Sequence, residues 1–384
     1  MITKSVYGLS PTLTLSINGA AVDYFAVNEV ELHLDVNMHD MLVVRMAGIP
    51  PRAMTDYRNQ PVFCSMDLGG GFFTEFYGYV HDVHAVASTS SGLLNGSPFQ
   101  EAKVVCLGTS YEMRGGDSRV WKDERLQDVA LELSGKYGFS VSVPNDKLIL
   151  SPMLQDNESD WQFLVRYAGM MGFDVTLHGT NLHVFDPFKA YSRQTSFHRL
   201  RTSKDVRAGL VPEPGQISKF DVTLAEHHPD GKYKDTVVTV HQDDNQIFDV
   251  SLRELRGLTA PARFSNRLRD SVDTYDQAVR VIEAEGKSKY DYRATATVMG
   301  LPGCMPGGVV LVDSYGTSEV DNLWYVQSVC HHLASGAFYS ELKLARNITS
   351  ELVPASVAAY TRPPAPKLVD GRWFPTKRLL NVYS

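Results

Sequence analysis

The chain has 384 residues, a length that corresponds to about two or three folding units. Apolar residues make up 43% and charged residues 21%, which is the composition of a folded globular protein and excludes a disordered, collagen-like or coiled-coil chain. The formal net charge is −7, and no basic stripe is visible, so a dedicated nucleic-acid binder is excluded.

The sequence predicts neither a membrane anchor nor a secretory signal. The longest apolar run, Met41 to Ile49, is shorter than the ~18 residues of a membrane span and is interrupted by Arg45. The segment Thr12 to Ile17 alternates between polar and apolar residues, unlike a signal-peptide core. The four cysteines lie far apart and form no CxxC pair, so we expect reduced thiols in a protein that folds in a cytosol.

Residues 1–110 carry the alternation of a β domain. Leu13, Leu15 and Ile17 alternate with small polar residues, and the run closes on Asn18-Gly19, a strong hairpin pair. Residues 30–36 repeat the pattern with one apolar and one polar face. The sequence therefore predicts a first β-barrel domain over 1–110.

Residues 111–195 have a different pattern and predict a small α+β module. Helical spacing of apolar residues marks Asp123 to Tyr137. Ser159 and Gln162 have the spacing of a capping box ahead of a second apolar stripe, and residues 173–185 indicate a two-stranded hairpin.

The β pattern returns over 196–348 and predicts a second barrel domain. Residues 220–224 and 248–252 alternate, Tyr275 to Glu285 has helical spacing, and residues 290–298 alternate again. Residues 349–384 are rich in proline and predict an extended tail.

The two β regions resemble one another. Tyr79-Val-His-Asp-Val83 precedes the strand Val104 to Leu107, and Tyr325-Val-Gln-Ser-Val329 precedes the strand Leu342 to Ala345. This similarity predicts one fold used twice, with the α+β module inserted between the copies. The overall prediction is a mainly β chain in which two barrels flank an α+β insert.

The sequence offers no candidate for catalysis, for a cofactor or for a metal. It lacks the motifs of serine hydrolases, P-loop enzymes, zinc proteases and dinucleotide-binding domains. His81 and His84 lie three apart on a predicted strand and point to opposite faces, and His331 diverges from its neighbour in the same way. Asp243-Asp244 lies in a predicted turn, where solvated carboxylates are ordinary.

Three ordered segments carry recognisable strings. Residues 157–175 contain Ser-Asp-Trp-Gln-Phe-Leu-Val-Arg-Tyr-Ala followed by a glycine. Residues 294–312 combine a strand, Gly-Leu-Pro-Gly, Pro-Gly and a short apolar strand. Residues 325–346 form a closing hairpin with the pattern V-x-x-V-x-H, then Gly and a final Arg. Together they resemble the phage tail hub family, which includes late control protein D, the T4-type and Mu-type baseplate hubs and the front part of VgrG spike proteins.

This resemblance implies two tube-like barrels and a non-enzymatic, homotrimeric baseplate hub in the virion tail, assembled in the host cytoplasm. Three copies of two barrels give six similar units, which join a six-fold tail tube to a three-fold spike and surround the channel for genome ejection. Only 38 residues follow Arg346, so we expect the spike to be a separate polypeptide that the tail helps to dock.

The implied partners are the chain itself, the tail tube or its initiator ring, the spike and other baseplate proteins. The tape measure protein and DNA pass through the channel without specific binding. Two alternatives stay in the same class: the hub of a non-viral contractile injection system and a tail-associated protein of a non-contractile tail. Remote alternatives are a cell-wall hydrolase and a glycan-binding module.

Overall fold

The computed structural model is mainly β, with 55% of the described residues in strands and 17% in helices, so the predicted fold class is confirmed. The structure describes residues 11–22, 26–47, 56–69, 72–87, 99–150, 153–187, 198–202, 214–224, 234–242, 246–259, 264–268, 272–287, 290–313, 315–317, 320–334, 337–347 and 365–383. Asp243-Asp244 lies outside the described residues.

The strands and helices are numbered in chain order. The strands are β1 (Thr12–Ile17), β2 (Ala20–Ala21), β3 (Val27–Asp35), β4 (Met41–Ala47), β5 (Pro61–Gly69), β6 (Phe72–Ala87), β7 (Phe99–Gly108), β8 (Arg119–Trp121), β9 (Ser140–Pro144), β10 (Met153–Gln155), β11 (Asp174–His178), β12 (Asn181–Phe185), β13 (His198–Thr202), β14 (Gln216–Leu224), β15 (Lys234–His241), β16 (Ile247–Ser251), β17 (Phe264–Arg267), β18 (Tyr292–Met299), β19 (Val309–Val312), β20 (Leu323–Ala334), β21 (Ala337–Arg346), β22 (Lys367–Val369), β23 (Arg372–Phe374) and β24 (Leu380–Tyr383). The helices are α1 (Leu126–Tyr137), α2 (Asp160–Met170), α3 (Leu252–Leu255) and α4 (Tyr275–Lys287), and a 3₁₀ turn spans Thr109–Arg114.

Strands β1 to β7 form the first unit, in the order β3-β4-β7-β6-β5-β1-β2. The alternation predicted from the sequence places one face of these strands inward. Six of the strands contribute to one buried cluster, represented by Leu15, Val30, Leu42, Val62, Phe76 and Val104. Because side chains from all six strands meet in a single cluster, this sheet wraps around its own core.

Strands β13, β14 and β18 to β21 form the second unit, a closed six-stranded barrel. The ring of pairings runs β14-β18-β21-β20-β19-β13 and returns to β14. Its core surrounds Trp324, which is fully buried. On the far edge of β20, pairing with β3 continues the sheet from the second unit into the first.

The two units share one strand order. The two-residue β2 is left out of this comparison, so that each unit has six strands numbered in chain order: β1 and β3 to β7, and β13, β14 and β18 to β21. In both units the second strand pairs with the third, the third with the sixth, the sixth with the fifth, the fifth with the fourth, and the fourth with the first. One direction differs: β1 runs antiparallel to β5, whereas β13 runs parallel to β19.

Two β-bulges recur at equivalent places. In both closing hairpins the ladder skips the third residue of the Tyr-Val-x-x-Val segment, His81 in β6 and Gln327 in β20. A second bulge skips Asn28 in β3 and Ser218 in β14. A bulge fixes strand register, so these four positions align the two units residue by residue and confirm the similarity seen in the sequence.

A backbone turn recurs as well. The amide of Asn59 donates to the carbonyl of Val80 at 2.8 Å, and the amide of Gly307 donates to the carbonyl of Val326 at the same distance. Both turn residues have positive φ, 61° and 83°. The equivalence therefore extends from the ladders into a connecting turn.

The module is built from the 3₁₀ turn, β8 to β12, α1 and α2. The capping box is confirmed: the amide of Gln162 donates to Ser159 Oγ at 3.1 Å, and the Ser159 amide donates to Gln162 Oε1 at 3.0 Å. This pair satisfies two of the free donors at the start of α2.

Residues 234–287 correct the predicted extent of the second barrel. β15 to β17, α3 and α4 do not join the barrel sheet, and Val238, Val250 and Ile282 lie in the same buried cluster as the module helices. The predicted strand over 248–252 ends at Ser251, whose hydroxyl accepts from the Glu254 amide and starts α3. Periodicity identified these elements but carried no information on the partner they pack against.

The last residues correct the predicted extended tail. β22 and β23 pair as a hairpin, and β24 adds a parallel strand to β9 of the module. Trp373 is 8% exposed, contacts Tyr77 and donates from its indole to the carbonyl of Gly78 at 3.2 Å. One buried aromatic ring thus fixes this segment to the first unit.

Candidate functional surface

A continuous polar face runs across eight hydrogen-bonded strands from both units. We call the side of β14, β18, β21, β20, β3, β4, β7 and β6 that is opposite the two cores the polar sheet face. Its existence follows from the alternation in each strand, since β3 and β18 bury every second residue and expose the rest to varying degrees. The face spans the junction between the units without a break.

Charges of both signs cover the polar sheet face. Its acidic residues are Glu29, Glu31, Asp35, Asp82, Glu101, Asp221 and Glu341, and its basic residues are Arg45, Lys103, Lys219, Arg293 and Lys343. Several are paired across or along strands: Arg45 Nε lies 3.1 Å from Glu29 Oε2, and Lys219 Nζ lies 2.6 Å from Asp221 Oδ2. Glu75 of β6 lies on the same side, so the face is mixed in charge with three more acids than bases.

A small carboxylate–imidazole cluster lies on this face where β3 meets β20. Glu29, Glu31 and His332 each bring one ligand-type atom within 4.8 Å of the others. The His332 ring stacks on Tyr339 at 4.6 Å. Arg45 is within ion-pair distance of both carboxylates, so a side chain of the protein already compensates their charge.

Asp174 joins the module to both units. Its Oδ1 accepts from Asn37 Nδ2 at 2.8 Å, and its Oδ2 accepts from the Tyr325 hydroxyl at 2.5 Å. Asn37 follows β3 of the first unit, whereas Tyr325 lies in β20 of the second. Burial raises the pKa of Asp174, and the two hydrogen bonds oppose that rise. This carboxylate fixes the module at the junction between the units.

A second buried pair, Asp40 and His178, connects the first unit to the module. His178 Nδ1 lies 2.7 Å from Asp40 Oδ2, and burial raises the pKa of Asp40. His178 also lines a cleft of about 70 Å³ beside Glu75 and Tyr77. That volume is well below the ~300–1,000 Å³ of ordinary small-molecule sites, so the cleft does not resemble a substrate pocket.

The histidines discussed from the sequence lie apart. His84 is exposed and pairs with Asp82 at 2.9 Å, while His81 contacts the Tyr111 hydroxyl at 3.1 Å. His331 is fully buried in a core, and its neighbour His332 lies on the polar sheet face. Adjacent strand residues do point to opposite faces here, as predicted.

All four tryptophans are buried. Trp121, Trp161, Trp324 and Trp373 are at most 8% exposed, so their indoles offer no exposed platform on which a sugar could stack. Among the described helices, none combines the length and apolarity that crossing a membrane requires.

Comparison with solved structures identifies the fold. A tail protein from Neisseria meningitidis aligns with a TM-score of 0.62 at 14% identity, covering 88% of this chain and 96% of that one. A 43 kDa tail protein of prophage MuSo2 from Shewanella oneidensis aligns with a TM-score of 0.58 at 13% identity, covering 88% and 98%. The chain has a tail-protein fold.

A third structure extends this tail-protein fold beyond phages. An Escherichia coli component of the type VI secretion system, described as similar in structure to the T4 tail proteins gp27 and gp5, aligns with a TM-score of 0.54 at 10% identity. The alignment covers 92% of this chain and 82% of that one. No protein-family model matches the sequence, and no curated protein matches it.

The apolar residues of β14 are more exposed than their alternation in the sequence suggests. Phe220, Val222 and Leu224 alternate with polar residues, a pattern typical of a strand with one buried face. In the structure Val222 is 36% and Leu224 is 63% exposed. The apolar pattern in the sequence marks one face of the strand but does not show how far that face is buried.

Proposed function

We propose that this chain is the structural hub of a phage tail baseplate and acts as a homotrimeric ring without catalytic activity. The supporting observation is the duplication: two units with the same strand order, bulges and turn, joined by β20–β3 pairing within one chain. Three chains present six similar units around a central hole, the number that a six-fold tail tube requires. The ring units are residues 1–110 and, apart from 234–287, residues 196–348.

In this role the ring joins the six-fold tail tube, or its initiator ring, to a separate three-fold spike. The module and 234–287, which share one core outside the barrel sheets, are the parts available to other baseplate proteins. The tape measure protein and the genome pass through the hole, and the protein resides in the virion tail.

The polar sheet face is proposed to line the channel. It crosses the junction of the units without a break and carries paired charges of both signs with a small acidic excess. Arg45 and Lys219 are paired with carboxylates, and acids outnumber bases, so the face has no excess of cations to hold a phosphate backbone and DNA can pass without sticking. Tight DNA binding by the purified protein at moderate salt would contradict this lining.

The mass of the purified chain tests the ring. Sedimentation or mass photometry is expected to reveal a species of three times 42.7 kDa, and class averages in electron microscopy should show six lobes around a hole. A monomer that persists at every soluble concentration would overturn the proposal. A clearing assay on cell walls is expected to show no hydrolysis.

A second candidate in the same class is the hub of a non-viral injection system. The alignment with the type VI secretion component favours it. The neighbouring genes separate the two: capsid and packaging genes support the phage hub, whereas injection-system genes without a capsid support the alternative.

A further inference from the structure

The junction inside the chain shows how one unit continues into the next. Strand β20 has β21 along one edge. Its other edge is shared by two strands in succession: β19 pairs with Leu323–Tyr325, and β3 pairs with Ser328–Ala334. Along this edge β20 thus pairs first with β19 of its own unit and then with β3 of the other unit.

In the first unit the equivalent strand is β6, and among the described residues the second half of its edge opposite β7 is unpaired. In β6, β7 covers one edge and β5 covers the other as far as Tyr79. From Asp82 to Ala87, no strand among the described residues pairs with that edge. Unpaired backbone donors and acceptors along a strand edge are a template for another strand.

The second strand of the second unit has the complementary free edge. In β3 the edge opposite β4 is filled by β20. In β14 the edge opposite β18 pairs with β13 only at Gln216 and Ile217, and within the described residues nothing pairs beyond that point. Among the described residues, the chain therefore carries one filled junction and the two unfilled halves of a second.

The bulges give the alignment of the two junctions. Counting from Asn28 and Ser218, Leu32 corresponds to Val222 and Leu34 to Leu224. Leu32 and Leu34 are fully buried beneath β20, while Val222 and Leu224 remain 36% and 63% exposed. The same positions thus carry apolar residues in both units, and only the unit with a neighbour on that edge buries them.

We infer that β6 of one chain pairs antiparallel with β14 of a second copy of this chain, in the register of the β20–β3 junction. That register sets His84 opposite Thr223, Ala85 opposite Val222 and Val83 opposite Leu224, since Cys330 faces His33 within the chain. The inference rests on the proposed ring and names the surface that closes it. Three such junctions between chains alternate with the three junctions inside chains.

A cysteine cross-link tests the register. Directly opposed residues in an antiparallel pair have Cβ atoms about 4.5–5.5 Å apart, close to disulfide geometry. His84→Cys combined with Thr223→Cys is expected to link chains under mild oxidation, up to a covalent species of three chains. Both side chains are exposed, and the native cysteines are buried or partly buried.

The matched control moves one cysteine along β14. His84→Cys combined with Lys219→Cys keeps an exposed residue on the same face but displaces it by four residues, about 13 Å. Linking only in the Thr223 variant supports the register, and equal linking in both overturns it. A trimer by mass without linking overturns this pairing and leaves the ring intact. A monomer without linking overturns both.

A charge substitution gives an independent test. Leu224→Lys is expected to weaken association at least about tenfold, because it places an ammonium where the neighbour buries a leucine. The control is Ile247→Lys. Ile247 is 66% exposed, close to the 63% of Leu224, but it lies outside the predicted junction, so this substitution should leave association unchanged. Equal association of the two variants at matched folding, judged by circular dichroism, overturns the pairing.

Discussion

Acidification is expected to destabilise the closed barrel through His331. This imidazole is fully buried in β20, and its Nδ1 lies 2.8 Å from Ser340 Oγ. The Ser340 hydroxyl in turn accepts from the Leu301 amide at 3.0 Å. Burial lowers the pKa of His331 from 6.5 to about 3, because the low-polarity core disfavours the charged ring.

The sign follows from proton uptake by the unfolded chain. Below pH 6.5 the unfolded imidazole binds a proton, whereas the folded one of His331 does so only near pH 3. Stability attributable to this group is therefore present at neutral pH and is lost as the pH falls through that window. Each pH unit inside the window changes the free energy of unfolding by about 1.4 kcal/mol, so the loss between about pH 7 and pH 4.5 is 2–3 kcal/mol.

Urea unfolding of the wild type and of His331→Asn, followed across this pH range, measures the effect. The variant keeps a polar atom near the position of Nδ1, and its stability should fall less steeply on acidification by the amount of one titrating histidine. His84→Asn, at an exposed histidine of β6, is the control and should keep the wild-type slope. A His331→Asn slope equal to that of the wild type would refute the reasoning.

Two further substitutions test the contacts between the parts of the chain. Trp373→Ala removes a buried ring that packs on Tyr77 and should cost about 3 kcal/mol, so limited proteolysis is expected to release the C-terminal segment early; unchanged protection would contradict this docking. Tyr325→Phe removes the hydroxyl that donates to buried Asp174 and should cost about 2 kcal/mol in thermal unfolding. Tyr339→Phe, whose ring lies on the polar sheet face, is the control, and equal losses in the two variants would argue against the role of Asp174.

Local chemistry was predictable wherever a local rule decides the structure. The capping box at Ser159 formed as the spacing required, since its partners lie three residues apart. The similarity of the Tyr79 and Tyr325 segments proved structural down to the residue that each ladder skips. Strand pairs of this kind repeat because alternation and turn residues together fix register.

Tertiary partners were not predictable. The alternation of β15 and β16 was visible, but nothing local shows that these strands share a core with α1 and α2 rather than with the barrel. The C-terminal hairpin was not predicted because the proline content of residues 349–384 favours an extended tail. Asp370-Gly371, with φ of 49° and 76°, is a hairpin turn pair that could have been recognised. The polar sheet face follows from alternation, but its continuity across both units needed the β20–β3 pairing.

Closure of a unit and continuation into a neighbour compete for one strand edge. In the first unit β20 occupies the edge of β3, so β1 does not pair with β3 and the unit stays open on that side. In the second unit β13 takes the corresponding edge of β14, and among the described residues it does so only at Gln216 and Ile217. Because one edge accepts one partner at each residue, further pairing of β13 along β14 would occupy the edge that the proposed ring requires. In the proposed pairing, residues 218–224 of β14 therefore serve a second chain only where β13 does not extend along the same edge.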